Sequence, residues 1–474
     1  MRSNHSDKIT SIFLLFLSLV SVNAHAEQEM GILIKELTNQ IKELKKQVAR
    51  SNARIDELEQ KLNDQNDKKI AATPSFLPQS PSTENTQIKL SESGSKTQDN
   101  KPVVTAGDIV GTFKVPGTDT SIGIGGFVKL DTLFSSTSTG KDNYGNQRLE
   151  LADIPVDSVQ SGENDQITFH AKESRFWFKS FTPNRWADIN TYLELDFYGD
   201  PRLYNYTPRL RHAYGTLGNF LAGQTWTTFL NSRALADTLD NSNTGTILVF
   251  RQPQVSWTQP FTFAGMPMVW QIALEASRSR IWDVANNGMS TVNSSHYPDL
   301  IARLNYLPSW GNLSLAVMGR QVQYTPASTN QEQSIWGGAV NLSGKVNTYD
   351  ADNIRFMLAY GAMGRYGTNN FFADAVVDSY GNMELLPVYA GFLAYQHWWD
   401  REWRSTLAYG ITYADQPANV PTANQQAQAI HANLLWSPIN QATVGLEYIY
   451  GSREQVNGQN GELHRLQFST RFNF

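Results

Sequence analysis

Residues 466–474 read Leu466-Gln467-Phe468-Ser469-Thr470-Arg471-Phe472-Asn473-Phe474. Leu466, Phe468, Phe472 and Phe474 share one parity, and Gln467, Ser469, Arg471 and Asn473 share the other. Because successive side chains of a β-strand point to opposite faces, this stretch has one apolar face and one polar face. A strand with lipid on one side and water on the other has this pattern, which predicts a transmembrane β-barrel.

The first 26 residues have the features of a signal peptide. Arg2 and Lys8 precede an apolar run at residues 12–20, and Ala24-His25-Ala26 supplies the small residues that a signal peptidase requires. The run is shorter than the roughly 20 apolar residues of a spanning helix, and no later stretch reaches that length. We therefore expect residues 1–26 to be removed, Glu27 to begin an exported protein, and no membrane-spanning helix to be present.

Composition narrows the class of protein further. The chain has 474 residues, 11% of them aromatic, and its mean hydropathy is −0.40. A barrel is polar on average because only every second strand residue faces lipid. The net charge of −5 argues against nucleic acid as a general partner, and zero cysteines exclude disulfides, a thiol nucleophile and cysteine metal sites. We expect no cofactor and no metal.

Residues 27–64 carry a heptad pattern that predicts an α-helical coiled coil in the periplasm. Its core positions are Ile34, Ile41, Val48, Ile55 and Leu62 together with Met30, Leu37, Leu44, Ser51 and Leu58. β-branched residues at one position and leucine at the other favour a parallel dimer. An amphipathic helix packed on its own domain is the alternative, but self-association is the expectation.

Residues 65–105 lack any apolar periodicity. Pro74, Pro78, Pro81 and Pro102 are spread among Ser, Thr, Asn, Gln and Lys residues. Such a segment cannot bury a core, so we predict a disordered periplasmic linker. A segment that becomes ordered on peptidoglycan or on a partner protein is the alternative.

Residues 106–474 read as a barrel of sixteen antiparallel strands. Ile122, Ile124, Val128 and Leu130, for example, alternate with Lys129 and Asp131. Short turn-like links fall near residues 182–184, 217–218, 259–267, 308–311, 344–352, 398–401 and 437–440. These seven turns alternate with eight longer loops, so both barrel ends are periplasmic, and a barrel of this width encloses an aqueous channel.

Several strings within this region resemble the DcaP-like trimeric porin family. They are Gly117-Thr118-Asp119-Thr120-Ser121-Ile122, Thr168-Phe169-His170-Ala171 with Ser174-Arg175-Phe176, Arg209-Leu210-Arg211-His212-Ala213-Tyr214-Gly215, Phe220-Leu221-Ala222-Gly223-Gln224-Thr225-Trp226, Arg251-Gln252-Pro253-Gln254-Val255 and Gly445-Leu446-Glu447-Tyr448. The resemblance implies a homotrimer in a Gram-negative-type outer membrane that passes small anionic solutes, dicarboxylates in particular. A trimer conflicts with the dimer-like heptad.

Parity predicts a basic lumen. The inward cations are Lys129, Arg175, Lys179, Arg209, Arg211, Arg251, Arg303, Arg320, Arg355, Arg404, Arg465 and Arg471. The inward acids are Asp131, Glu194, Asp196, Glu275, Asp299 and Glu447. Twelve cations against six acids focus a field that attracts anions, and the arginine fork suits carboxylates. Arginines that merely pair with acids of the wall are the alternative.

The predicted constriction centres on Arg209 and Arg211, two cations on one strand face, with Arg251 close behind the third outer loop at residues 231–246. Resemblance implies that this loop folds inward, where Asp237 and Asp240 would oppose the arginines. Further predicted anion-binding residues are Lys129, Arg175, Lys179, Arg320 and Arg355.

Three other functions stay open as alternatives. Trp186, Trp310, Trp398, Trp399, Trp403 and Trp436 lie near turns and are expected to form an interfacial girdle, although a saccharide porin would use such rings inside the pore. A hydrolase would use His170, His212 or His431 with Ser174 or Asn433, but no G-x-S-x-G motif is present, so we expect no enzyme. A tether between outer membrane and cell wall is the third.

Overall fold

The computed structural model describes Lys42, Lys46 and residues 105–474 except 140–142, 157–163, 248, 294, 327 and 368–370. The chain divides into two compact units, Met1–Thr97 and Gln98–Phe474. The predicted signal peptide, coiled coil and linker therefore lie almost entirely outside the described residues. Lys42 and Lys46 are both helical.

Within the described residues the second unit forms 22 β-strands and four short 3₁₀ helices. The strands are β1 (Phe113–Lys114), β2 (Ser121–Thr137), β3 (Asn164–His170), β4 (Arg175–Thr182), β5 (Ile189–Asp196), β6 (Arg209–Leu217), β7 (Phe220–Trp226), β8 (Arg251–Phe263), β9 (Met266–Glu275), β10 (Ser279–Asp283), β11 (Gly288–Val292), β12 (Asp299–Tyr306), β13 (Gly311–Tyr324), β14 (Gln333–Asn347), β15 (Asn353–Gly361), β16 (Ala375–Val377), β17 (Met383–Leu385), β18 (Val388–Trp398), β19 (Trp403–Ala414), β20 (Asn424–Ile439), β21 (Ala442–Gln455) and β22 (Asn460–Asn473). The 3₁₀ helices are Tyr144–Asn146, Leu151–Asp153, Ser232–Ala234 and Gly364–Tyr366.

The long strands close into one antiparallel barrel. Each pairs with its sequence neighbour, and β2 closes the sheet by pairing with β22. β3 and β4 lie end to end along β2, with Asp131 opposite His170 and Phe127 opposite Arg175, so together they act as one strand. Counting β3 and β4 once, and leaving out the loop strands and β1, gives the predicted sixteen strands.

All seven predicted turns join barrel strands. They occupy residues 183–188, 218–219, 264–265, 307–310, 348–352, 399–402 and 440–441. Ala264 and Gly265 both have positive φ (49° and 77°), as a two-residue hairpin between twisted strands requires. The other side of the barrel carries loop 1 (138–163), loop 2 (197–208), loop 3 (227–250), loop 4 (276–298), loop 5 (325–332), loop 6 (362–387), loop 7 (415–423) and loop 8 (456–459). Longer loops face the cell exterior in outer-membrane barrels.

Strand alternation places apolar side chains outward and polar side chains inward. Ile124, Val128 and Leu130 on β2 are exposed, whereas Lys129 and Asp131 between them are buried. An outward band of this kind is stable only against lipid or another apolar surface. Within the described residues no helix is long and apolar enough to cross a membrane.

The lumen is partly filled by loops 3, 4 and 6. β10 and β11 of loop 4 join β16 and β17 of loop 6 in a separate four-stranded sheet. Phe229 and Leu230 of loop 3 and Phe371 and Phe372 of loop 6 belong to one buried apolar cluster. The hydrophobic core therefore lies inside the barrel, between the inward loops and the wall, and it confines the open space.

Candidate functional site

Loop 3 crosses the lumen and is fixed to the opposite wall. Asn231 accepts a hydrogen bond from the Arg233 amide and starts a short 3₁₀ helix, and Asn243 and Gly245 take positive φ to reverse the chain. At the apex, the Glu447 carboxylate on β21 accepts the amides of Leu239 (2.8 Å) and Asp240 (3.2 Å). Loop 3 thus folds into the lumen, as the resemblance implied, and hydrogen bonds attach its apex to β21.

Strand side chains also donate to the carbonyl groups of loop 3. Lys129 Nζ donates to Leu239 O (2.6 Å), and Arg355 donates to Leu235 O (2.6 Å). Arg303 binds Leu230 O in the same way, Asn341 binds Phe229 O, and Asn433 binds Asp237 O. The structure therefore places Lys129 and Arg355, two predicted anion-binding residues, as anchors of loop 3.

A cavity of about 410 Å³ remains between loop 3, loop 1 and the wall formed by β4, β6, β7 and β8. Its lining includes five arginines, namely Arg148, Arg175, Arg209, Arg211 and Arg251. The structure thus places Arg175, Arg209, Arg211 and Arg251, four residues of the predicted anion site, along one cavity. Arg148 on loop 1 was not predicted, because strand parity does not extend into a loop.

Three of the cavity arginines form ion pairs within the wall. Arg209 donates to Asp196 through Nε (2.9 Å) and Nη2 (2.6 Å), and Arg211 bridges Glu194 (2.5 Å) and Asp196 (2.7 Å). Arg175 contacts Glu173 at 3.4 Å. A register shift in β6 opposite Glu194 lets both Arg211 and His212 point inward. Bidentate pairs fix the arginine positions and also offset much of their charge.

Arg251 differs from its neighbours. It forms no ion pair with any carboxylate that the structure describes, and its guanidinium lies over the Trp226 ring at 4.4 Å. Arg251 is on the same strand face as Val255 and Trp257, which are exposed on the outer face. The inward strand face that the sequence pattern assigned to Arg251 was therefore wrong. The side chain nevertheless lines the cavity, because β7 and β8 end at Trp226 and Arg251 and continue inward as loop 3.

The two predicted loop acids lie in different places. Asp240 lines the cavity and accepts the Leu149 amide at 2.8 Å, and burial raises the pKa of this carboxyl above its ordinary value. Asp237 instead binds Arg404 (2.8 Å) and Gln396 (2.7 Å). The structure shows no ion pair between these acids and Arg209, Arg211 or Arg251 within its described range.

Two further predicted residues lie outside the cavity. Arg320 is fully buried with Asp299 and Asp374, where loop 6 meets the wall. Lys179 lies near the turn side, where Nζ donates to Val110 O at 3.3 Å. Glu173, between β3 and β4, and Asp374 of loop 6 pair with the inward cations Lys129 and Arg320 and so reduce the charge excess counted from strands alone. Glu150 pairs with Arg148 within loop 1.

The residues of the alternative functions lie apart. His170 contacts Gln147 O, His212 contacts Thr225, and His431 contacts Glu447, and none of these contacts has the Ser–His geometry of a hydrolase. The exposed turn-side tryptophans include Trp186, Trp310, Trp399, Trp403 and Trp436. Exposed rings in this position form an interfacial girdle rather than a lining of the pore.

Comparison with known proteins agrees with this architecture. The profile of the family described as DcaP outer membrane protein matches residues 112–474. The outer membrane channel DcaP of Acinetobacter baumannii is 22% identical, with a TM-score of 0.64 over 76% of this chain and 99% of that one. OmpF of Salmonella typhi, solved in complex with daunomycin, is 10% identical, with a TM-score of 0.50 over 76% and 99%. No curated protein sequence matches the chain. Since the profile spans nearly the whole barrel, the chain belongs to the DcaP family of outer membrane proteins.

Proposed function

We propose that the chain forms a water-filled channel for passive diffusion of small anionic solutes, with carboxylates and dicarboxylates as the preferred class. The observation that carries this proposal is Arg251, which forms no ion pair among the described residues and lies beside Arg209 and Arg211 in the cavity. A fixed cation beside a narrow aqueous path raises the local concentration of anions. Passage needs no energy source, because the barrel already encloses the path.

The arrangement favours carboxylates over other small solutes. The planar guanidinium group binds both oxygens of a carboxylate at once, and stacking on Trp226 holds the Arg251 group in one orientation. Arg209 and Arg211 keep their positions through Asp196, so an entering anion meets positioned donors. A neutral sugar gains none of the charge attraction, which supports anions rather than saccharides as cargo.

Replacing Arg251 by glutamine should slow anion uptake selectively. We expect uptake of succinate into proteoliposomes to fall about three- to tenfold, since a single focused charge changes rates on this scale. Uptake of erythritol, a neutral solute of similar size, should stay within about twofold of the wild type because the side-chain volume changes little.

Arg202→Gln is the matched control, because this exposed loop 2 arginine pairs with Asp200 away from the cavity. Equal losses for succinate and erythritol in Arg251→Gln would show that the variant narrows the pore instead. Wild-type uptake of succinate no faster than erythritol would contradict the proposed function itself.

We also propose that the protein works as a homo-oligomer, a trimer by resemblance, with residues 27–64 contributing a coiled coil. Support comes from the apolar outer face of the barrel, for example Leu193, Leu217 and Phe220. Light scattering in mild detergent tests this proposal, and a monomeric mass for both the full chain and residues 106–474 would contradict it.

A further inference from the structure

A second group of arginines lies on the loop side of the cavity. Arg278 and Arg280 belong to loop 4, and Arg365 belongs to the 3₁₀ helix of loop 6. β10 pairs in parallel with β16, which fixes loop 4 against loop 6. We call Arg278, Arg280 and Arg365 the outer arginine cluster.

None of these three arginines forms an ion pair with a carboxylate in the part of the chain that the structure describes. Arg278 donates to Asn293 Oδ1 (3.1 Å), and Arg365 donates to Gln252 and to Ala276 O. Asp374, the acid that acts most strongly on Arg280, forms its ion pair with the buried Arg320 and also accepts the backbone amide of Arg280 at 2.7 Å. The surrounding acids therefore offset the positive charge of the outer arginine cluster only in part.

In the described part of loops 4 and 6, three buried side-chain nitrogens have no hydrogen-bond acceptor. They are Arg280 Nη1, Arg365 Nε and Trp282 Nε1. Arg280 and Trp282 are two residues apart on β10, so their side chains leave the same face of the strand. A buried donor without an acceptor costs about 1–3 kcal/mol, and more when it is charged. Donors grouped in this way are stabilised when an anion supplies the missing oxygens.

The electrostatics of Arg280 agree with this geometry. Burial is the largest cause that lowers the pKa of Arg280, the nearby Asp374 raises it, and the charges of Arg365 and Arg278 lower it further. Burial and the charges of two neighbouring arginines therefore both disfavour the charged form of Arg280, and a bound anion would act together with Asp374 to stabilise it.

The cluster adjoins the cavity of the proposed channel. The Arg365 guanidinium lies over the Phe250 ring at 4.7 Å, and Phe250 lines the cavity beside Arg251. Arg280 also lies within electrostatic range of Glu150, which lines the cavity and pairs with Arg148. A solute that leaves the outer arginine cluster therefore meets the cavity arginines next.

We propose that Arg278, Arg280 and Arg365 form a second anion site, which captures small carboxylates on the loop side before they enter the constriction. This inference rests on the proposed function and adds an entry site to it. Carboxylates fit because an arginine side chain donates to both carboxylate oxygens at once and Trp282 supplies one further neutral donor. The site acts through the rate of capture, whereas the cavity arginines act on selectivity.

The test uses the full protein in a planar bilayer, with succinate added to one side at a time. Succinate should interrupt the potassium chloride current, and Arg280→Gln should lower the rate of interruption from the loop side about tenfold. The rate from the turn side and the reversal potential should not change. Arg280→Lys keeps the charge and should restore part of the loop-side rate, which a purely structural role would not predict.

Arg202→Gln removes one exposed loop charge outside the cluster and should leave the loop-side rate within about twofold of the wild type. An unchanged loop-side rate in Arg280→Gln, with anion preference intact, would overturn the second site and leave the proposed function standing. A wild-type channel that shows no preference for anions would count against the proposed function itself. Where single interruptions are too brief to resolve, the excess current noise gives the same rate.

Discussion

Replacing Arg209 and Arg211 together by glutamine should abolish the anion preference of the channel and shift it toward cations. The two arginines neutralise Glu194 and Asp196, so their removal leaves both carboxylates without these ion pairs, although Glu194 keeps Arg175 at 3.8 Å and the Tyr192 hydroxyl. The region beside the cavity becomes more negative by two charges, which is more than any single arginine-to-glutamine substitution achieves. Glutamine is close in size to arginine, so the pore should remain open.

The measurement is the reversal potential of single channels under a potassium chloride gradient. The reversal potential of the wild type should indicate a preference for anions, and that of the double variant a preference for cations. The difference should shrink as the Debye length falls from about 10 Å at 0.1 M to about 3 Å at 1 M.

The control is Arg185→Gln/Arg401→Gln, which replaces two arginines that are exposed in turns. It removes the same formal charge as the test variant. A reversal potential that is the same in Arg209→Gln/Arg211→Gln and the wild type would mean that these arginines only stabilise the wall.

Truncating Glu447 to alanine should release the apex of loop 3. Glu447 accepts the amides of Leu239 and Asp240 and also binds His431 (3.0 Å) and Asn433 (2.9 Å). Each buried donor that loses its acceptor costs about 1–3 kcal/mol, so the local attachment of the loop weakens by several such contributions. The sixteen-stranded barrel does not depend on this contact and should stay folded.

We expect Glu447→Ala channels to show larger and noisier conductance than the wild type, because the loop that divides the lumen becomes mobile. Glu447→Gln keeps one acceptor oxygen and should show a smaller effect. Glu462 on the neighbouring strand is exposed and accepts a hydrogen bond from the Tyr450 hydroxyl (3.0 Å), so Glu462→Ala is the matched control. Steady conductance at the wild-type level in Glu447→Ala would show that the remaining contacts hold loop 3 without Glu447.

Strand alternation predicted the barrel well, because lipid and water impose the two-residue period directly. Leu130 is exposed and Lys129 buried on β2, as their parity required. The seven turns were readable for a similar reason, since tight hairpins select residues such as Gly218 and Gly265. Sixteen strands then followed from counting.

The site was less predictable, because it depends on the loops and on departures from regular strands. Arg251 has an outward register but reaches the cavity because β7 and β8 end there. The alternation of apolar and polar residues does not show where a strand ends. Arg148, Glu150 and Glu173 lie outside the strands, so parity assigned them to neither face. Arg320 has the same alternation as a pore-lining residue, but loop 6 covers it.

We propose that solutes pass between loop 3 and the wall formed by β4, β6, β7 and β8, and cysteine labelling tests this path most directly. The chain has no cysteine, so Thr238→Cys introduces a single thiol, at a position of loop 3 that lines the cavity. A negatively charged methanethiosulfonate reagent that enters the open channel should lower the current of Thr238→Cys irreversibly. The same reagent should leave the current of Thr348→Cys, in an exposed turn, unchanged. Full current after complete labelling of Thr238→Cys, verified by mass, would contradict the account.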